Sequence, residues 1–281
     1  MSIDLHTHST RSDGTLTPAE LIAEAKRLGL SAIALTDHNT VAGLPEFLAE
    51  ARSQGVTAVA GTELSTVYRG REFHLLGLFI PREHFPAVTR LTEDYLARKE
   101  QSNRDLVARL TSGGYPLDYE EIQRKNPNSN INRARIAEEL VAAGLVPSVK
   151  DAFSTLLGEG MGYYTPPERL DFLTAIRFLR SIRALPVWAH PLQYTDEATV
   201  HAILPAAVEA GLLAMEVQHS SYDAATIART RSIADDFGLL YSGGSDYHGT
   251  VKPDVRMGTG KGNLRIPDSY FKALLGRAET L

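Results

Sequence analysis

Six times along this 281-residue chain a short apolar run stops on a histidine, an aspartate or a glutamate. Ile3-Asp4-Leu5 runs into His6 and His8, residues 32–35 into Asp37 and His38, and residues 57–60 into Glu63. Later, residues 185–189 end on His190 and residues 213–217 lead to His219. Residues 239–241 lead through Ser242-Gly243-Gly244-Ser245 to Asp246 and His248. Between these runs lie stretches with apolar residues at helical spacing, several of them closed by a glycine. Helix, glycine, apolar strand and polar ending form the alternation of parallel β/α units. In a barrel built this way the C-terminal strand ends carry the chemistry. The expected fold class is therefore α/β.

The local signals agree with that reading. Thr17-Pro18-Ala19-Glu20 is a helix start, with Thr17 as N-cap, Pro18 in the first turn and Glu20 completing a capping box, and Gly29 is the stop. Helices are expected over residues 44–53, 170–182, 198–210 and 224–237. If residues 3–8 are extended, His6 and His8 share one face, because strand side chains alternate. Asp13-Gly14 reads as a turn that can carry a carboxylate back over the strand end.

The rhythm lapses between residues 85 and 164. A long charged helix is expected over 87–110, shorter ones over 118–125 and 132–143, and a loop over 126–130. The division is a barrel from residues 1–84 and 165–281 and a helical insertion, read as a lid, at 85–164.

Cysteine is absent, which excludes disulfides, thiolate metal sites and a cysteine nucleophile. A bound metal must then sit among nitrogen and oxygen donors, which suits Mn, Fe or Zn in preference to Mg. The net charge of −5 does not announce a nucleic-acid surface. Divalent ions concentrated in one cleft could still attract phosphates. With no membrane-length apolar run and no signal-type beginning, a cytoplasmic protein without a membrane partner is expected.

Of nine histidines, those at 6, 8, 38, 74, 190 and 248 fall at or near expected strand ends, together with Asp13, Glu63 and Asp246. One histidine so placed is usually structural. Six with three acids point to metal binding. The ordered series Asp4-Leu5-His6-Thr7-His8 with Ser12-Asp13-Gly14, Leu35-Thr36-Asp37-His38, Gly61-Thr62-Glu63, His74-Leu75-Leu76-Gly77, Ala189-His190-Pro191 and Gly244-Ser245-Asp246-Tyr247-His248-Gly249 is far more specific than any one of its parts. It resembles the PHP (polymerase and histidinol phosphatase) domain proteins of the amidohydrolase type. The likeness is to stand-alone metal-dependent phosphoesterases that act on nucleoside 3′,5′-bisphosphates and short oligonucleotide ends.

That resemblance implies a distorted (β/α)7 barrel with an insertion and two or three divalent ions. His6, His8, Glu63 and Asp246 would hold the first ion. Glu63 would bridge to a second, held also by His74 and His190. Asp13, at a position often filled by histidine, would hold a third with His38 and His248. A hydroxide bridging two such ions would attack phosphorus, with His6, His8, Glu63 and Asp246 as the catalytic core.

Asn132-Arg133-Ala134-Arg135-Ile136-Ala137 matches the family's Arg-Pro-His-Ile-Ala segment, with Arg135 at the histidine position and Ala134 at the proline position. It makes Arg133, and then Arg135, candidate phosphate ligands. The competing account is a pair of helix-surface arginines. His219 could contact the phosphate or protonate the leaving group, or be structural. Tyr163 and Tyr164 read as packing residues in preference to a base-stacking pair. Asp37, beside His38, would support a ligand from outside the coordination shell, and His84 and His201 are given no role. The expected partner is a small phosphorylated substrate, a nucleotide or a short oligonucleotide end, with no stable nucleic-acid partner. The expected reaction removes the 3′-phosphate of a nucleoside 3′,5′-bisphosphate. The alternatives are a non-nucleotide monoester such as histidinol phosphate, 5′-3′ exonuclease action on oligonucleotides, and a non-enzymatic metal-stabilised accessory domain.

Overall fold

The computed structural model describes residues 2–127 and 131–281. Residues 128–130 of the loop expected at 126–130 lie outside the described residues. The chain divides into two compact units, one of Met1–Thr89 with Leu170–Leu281 and one of Arg90–Arg169.

The first unit is built on strands β1 (Ile3–Asp4), β2 (Ala32–Leu35), β3 (Ala58–Tyr68), β4 (Arg71–Leu78), β5 (Leu170–Asp171), β6 (Leu185–Trp188), β7 (Ala214–His219) and β8 (Leu240–Gly244). The sheet runs β1-β2-β3-β4-β6-β7-β8, with β5 attached to β3. It nearly closes on itself. The Leu5 N–H donates to the Gly243 carbonyl at 3.2 Å, and the Asp246 N–H donates to the His6 carbonyl at 3.0 Å. Gly244 permits the closure, because a Cβ there would stand 2.2 Å from the His6 Cβ.

The pairs β1–β2, β2–β3, β6–β7 and β7–β8 are parallel, whereas β3–β4 and β4–β6 are antiparallel. The expected distorted α/β barrel is present, and the parallel alternation read from the sequence is interrupted only around β4. A strand expected over 57–60 instead continues to Tyr68, so Glu63 lies inside β3. His74 lies inside the reversed strand β4. Both still face the barrel interior, since Glu63 pairs with Leu76 and Ser65 with His74.

Helices α1 (Pro18–Leu28) and α2 (Leu44–Gln54) start and stop as the local code dictates. Thr17 and Glu20 form the reciprocal capping box, and Gly29 and Gly55 end the two helices in the left-handed conformation. Leu21, Ile22, Ala25 and Phe47 are fully buried against the strands. Each large apolar side chain so buried contributes about 1.5–3 kcal/mol before the cost of ordering it. The expected helix over 170–182 loses its first two residues to β5, because Asp171 accepts from the Thr174 N–H and caps the helix that begins at Phe172.

In the second unit, residues 90–112 of the helix Phe85–Ser112 supply Leu106, Val107 and Leu110 to a separate core. They pack with Tyr119 and Ile122 of Tyr119–Lys125, with Ile136 and Leu140 of Arg133–Ala142, and with Leu156 and Leu157. Asp118 and Asn132 are the side-chain N-caps of the two shorter helices. A further helical stretch over Val149–Leu157, capped by Ser148, was not expected from the sequence. Among the described residues no helix is long and apolar enough to cross a membrane.

Candidate metal centre

Glu63 is the hub of the site and is fully buried. Its Oε1 lies 2.8 Å from His74 Nδ1 and 3.1 Å from His190 Nε2. Its Oε2 lies 3.1 Å from His6 Nε2 and 3.2 Å from both His8 Nε2 and His38 Nδ1. Asp246 Oδ1 is 3.6 Å from His6 Nε2, 3.3 Å from His8 Nε2 and 3.4 Å from His248 Nδ1. Asp13 closes the other side, with Oδ1 3.3 Å from His248 Nε2 and Oδ2 3.9 Å from His38 Nε2. Nine residues distant in sequence thus meet at one end of the barrel.

Three tight groupings stand out, each with donor atoms within 4.8 Å of one another. One is His6, His8, Glu63 and Asp246. A second is His8, Asp13, His38 and His248. The third is His38, Glu63 and His74. His190 stands beside the third on the same oxygen of Glu63 that faces His74, and His38 belongs to two groupings at once.

The chain holds these donors by spending other carboxylates on them. Glu216, buried on β7, lies 3.2 Å from His6 Nδ1 and accepts the His190 N–H at 2.8 Å. Its carboxylate accepts from an N–H at His6 Nδ1, which leaves the Nε2 lone pair as the atom able to ligate a cation beside Glu63. Asp4 accepts from the Ser245 N–H at 2.9 Å and the Gly258 N–H at 2.7 Å, fixing the turn that carries Asp246. Asp37 accepts from the Ser9 N–H at 2.7 Å and from the Ser9 and Ser12 hydroxyls at 2.6 and 2.7 Å. It therefore holds the loop that presents Asp13. Gly14 lets that loop fold tightly, since a Cβ would meet the His8 carbonyl oxygen at 2.2 Å. His190 and Asp246 have positive φ, 29° and 57°. Such non-glycine geometry costs about 1–3 kcal/mol and concentrates at functional sites.

Burial alone would raise the carboxylates and lower the imidazoles. In Glu63 that push is overcome by His6, His38 and His74, which hold the carboxyl well below its ordinary range. Asp13 and Asp246 are likewise held down against burial, Asp13 by His38 and His248 and Asp246 by His248 and Lys252. Burial wins at His38 and His190, which fall to about 3 and about 4. At His8 and His74 it loses to the carboxylates of Asp246, Glu63 and Glu72, and the rings rise to about 9 and about 10. The site is a set of ionised acids shared among imidazoles.

Whether this donor set suits cations is tested by its leftover atoms. Among the proposed ligands, His8 Nδ1, Asp13 Oδ1 and His38 Nδ1 are buried with no hydrogen-bond partner. Such atoms are costly unless something satisfies them. Imidazole nitrogen with carboxylate oxygen is a first-row divalent environment, so the residues fit metal ions.

The other sequence candidates separate. His219 sits at the end of β7, its Nε2 3.5 Å from Asp246 Oδ2. Its Nδ1 accepts the Ser221 N–H at 3.2 Å, which puts the proton on Nε2. Arg133 and Arg135 lie in the second unit. The Arg133 guanidinium stacks over the Tyr164 ring at 4.1 Å and donates to the Leu157 carbonyl at 3.2 Å, while Arg135 pairs with Glu138 at 2.9 Å. Tyr163 and Tyr164 pack against the core of that unit. His201 stands 3.7 Å from Glu197, four residues before it, and His84 ends a short 3-10 turn.

Sequence reasoning gave no role to Glu216, Asp4 or Lys252. The signal for the two acids was there, because a carboxylate inside an apolar strand must be buried and therefore partnered. Lys252, whose Nζ lies 2.6 Å from Asp246 Oδ2, carried no such signal.

Comparison with known proteins agrees with this arrangement. The family model described as PHP domain matches residues 4–143. The chain is 30% identical to the 3′,5′-nucleoside bisphosphate phosphatase of Chromobacterium violaceum, over 88% of this chain and 87% of that one. It is 31% identical to the phosphoribosyl 1,2-cyclic phosphate 1,2-diphosphodiesterase of Eggerthella lenta, over 88% and 94%. It is 30% identical to the 5′-3′ exoribonuclease of Escherichia coli, over 87% and 84%. Among solved structures, an amidohydrolase from Chromobacterium violaceum with bound sulfate superposes with a TM-score of 0.86 at 27% identity, covering 99% of this chain and 97% of the other.

Proposed function

The chain belongs to the PHP domain family, and from that premise we propose that this metal-dependent phosphoesterase removes the 3′-phosphate of nucleoside 3′,5′-bisphosphates. One observation carries the metal-dependent part. Both oxygens of Glu63 are shared among imidazoles, Oε1 with His74 and His190 and Oε2 with His6, His8 and His38. A carboxylate so placed can bridge two cations. His6, His8, Glu63 and Asp246 would hold one ion, Glu63, His74 and His190 a second, and Asp13, His38 and His248 a third. Divalent ions there would supply Lewis-acid charge to the phosphoryl oxygens and lower the pKa of water to give a nucleophile near neutral pH.

The remaining work falls to the chain's own groups. Glu216 fixes the orientation of His6, and Asp4 and Asp37 hold the loops that present Asp246 and Asp13. His219, with its proton on Nε2, is placed to donate to a phosphoryl or leaving oxygen. Arg133, held flat on Tyr164, spends one N–H on the Leu157 carbonyl and keeps donors for a substrate phosphate. Arg135 is the weaker candidate, because Glu138 already takes part of its fork.

A mononucleotide is favoured over a long strand by the charges of the second unit. Arg98, Arg104, Lys125 and Arg135 each pair with a carboxylate, whereas a strand-binding track needs unpaired cations. Exoribonuclease action is the second reading, supported by the likeness to the Escherichia coli enzyme. Product formation by the Mn²⁺-loaded protein decides between them, read as inorganic phosphate from adenosine 3′,5′-bisphosphate and histidinol phosphate, as mononucleotides from a 5′-phosphorylated oligoribonucleotide and as ring-opened monoester from ribose 1,2-cyclic phosphate. The highest kcat/KM is expected on the bisphosphate. A higher value on the oligonucleotide, with mononucleotides released in order from the 5′ end, would replace this reading with the second.

A further inference from the structure

Beside His74 and His190 the first unit opens into a cavity of about 580 Å³, lined also by Arg71, Phe73, Trp188 and Tyr194. This volume is in the range that holds one small ligand. Because two of its walls are the imidazoles on Glu63 Oε1, a phosphoryl group seated at the cluster leaves the rest of its ester to extend into this space. Tyr194 lies in the loop between β6 and the helix Glu197–Ala210. It is 79% exposed, where every other exposed large apolar side chain among the described residues is below half. Its ring stands edge-on to His190, centroids 6.1 Å apart at 86°. The Gln193 side-chain amide donates to its hydroxyl at 2.9 Å. An aromatic face left open to solvent, anchored at its hydroxyl and set beside the reacting site, is the arrangement that stacks on a planar ring.

We infer that Tyr194 is the stacking platform for the nucleobase of the substrate and that the cavity next to His74 and His190 is the nucleoside subsite. The inference rests on the nucleotide-ester reading above and goes beyond it, since it assigns the group that meets the base and not the phosphate. The chemistry of recognition is the same for the base of a mononucleotide and for that of the terminal nucleotide of an RNA. Arg71 on the rim is already engaged by Thr199 at 3.1 Å and Asp196 at 3.6 Å, so the face of Tyr194 is the group free to meet the base.

The test compares wild type, Tyr194→Ala and Tyr194→Phe, all loaded with Mn²⁺. The substrates are adenosine 3′,5′-bisphosphate, a 5′-phosphorylated oligoribonucleotide and glycerol phosphate, which has no base. Stacking lost on truncation to alanine is expected to raise KM about tenfold for base-bearing esters. KM for glycerol phosphate should stay unchanged, and Tyr194→Phe should behave as wild type. Whichever base-bearing ester shows the rise identifies the source of the base. Unchanged KM for both of them in Tyr194→Ala overturns the inference and leaves the phosphoesterase intact. So does an equal rise for glycerol phosphate. A second readout needs no turnover, because Trp188 is the chain's single tryptophan and lines the cavity. Adenosine should perturb its fluorescence in wild type and Tyr194→Phe at concentrations about tenfold lower than in Tyr194→Ala. If wild type hydrolyses none of the esters, the functional reading falls, and this titration decides the inference alone. A nucleoside that leaves Trp188 unperturbed in wild type overturns it.

Discussion

The two units treat charge in opposite ways. In the second, cations and anions meet at the surface in pairs: Arg104 with Glu100 and Glu120, Lys125 with Glu121 and Glu139, Arg98 with Glu168. Such exposed pairs are screened and nearly neutral in their effect on stability. At the barrel end, buried acids face imidazoles, and one ammonium, that of Lys252, reaches Asp246. Buried carboxylates shared among buried imidazoles are costly to take out of water. The difference teaches that a charged sequence stretch is no guide to a site, whereas acids buried among imidazoles are.

That contrast can be broken most forcefully at its centre. Glu63→Gln removes the charge shared by five imidazoles. A loss of at least about 1,000-fold in kcat is expected, because Lewis-acid stabilisation is worth several kcal/mol. Metal content should fall with it, and an active, metal-replete variant would contradict the assignment. Glu216→Gln leaves every proposed ligand in place but releases the His6 ring. Metal affinity should drop about 10–100-fold, with activity restored by excess Mn²⁺.

Titration sharpens the same contrast. His8 and His74, raised to about 9 and about 10, carry protons at neutral pH in the ion-free protein, and a metal must displace them. Affinity is therefore expected to rise with pH, by about tenfold per unit for each proton released, until those values are passed. Calorimetry in two buffers of different ionisation enthalpy reads the proton release directly. Equal heats in both buffers would show that no proton leaves. The smallest effects separate two arginines of the second unit. Arg133→Ala is expected to raise KM about tenfold at constant kcat, as loss of a charged phosphate contact does. Arg104→Ala, which removes a surface pair, should change neither, and a matching KM rise in both variants would reduce Arg133 to a surface residue.

Much of the fold was legible because its signals are local. Thr17, Glu20 and Gly29 mark one helix by chemistry that does not depend on distant contacts. The strand-end acids and histidines were legible because their order along the chain is itself a pattern. What stayed hidden depends on pairing. Residues 58–68 form one long strand because β4 turns back along it, and no residue in that run marks the extension or the reversed direction. The partners of Glu216 were hidden for a related reason. His6 and the His190 N–H lie 210 and 26 residues away, so the task of Glu216 exists only once β7 lies beside β6 and β8.

The most direct trial is elemental analysis of the purified protein, paired with phosphate release before and after exhaustive chelation. Two or three divalent ions per chain are expected, with activity lost on chelation and recovered on adding Mn²⁺. Undiminished hydrolysis by protein shown to carry no ion would contradict the metal centre itself.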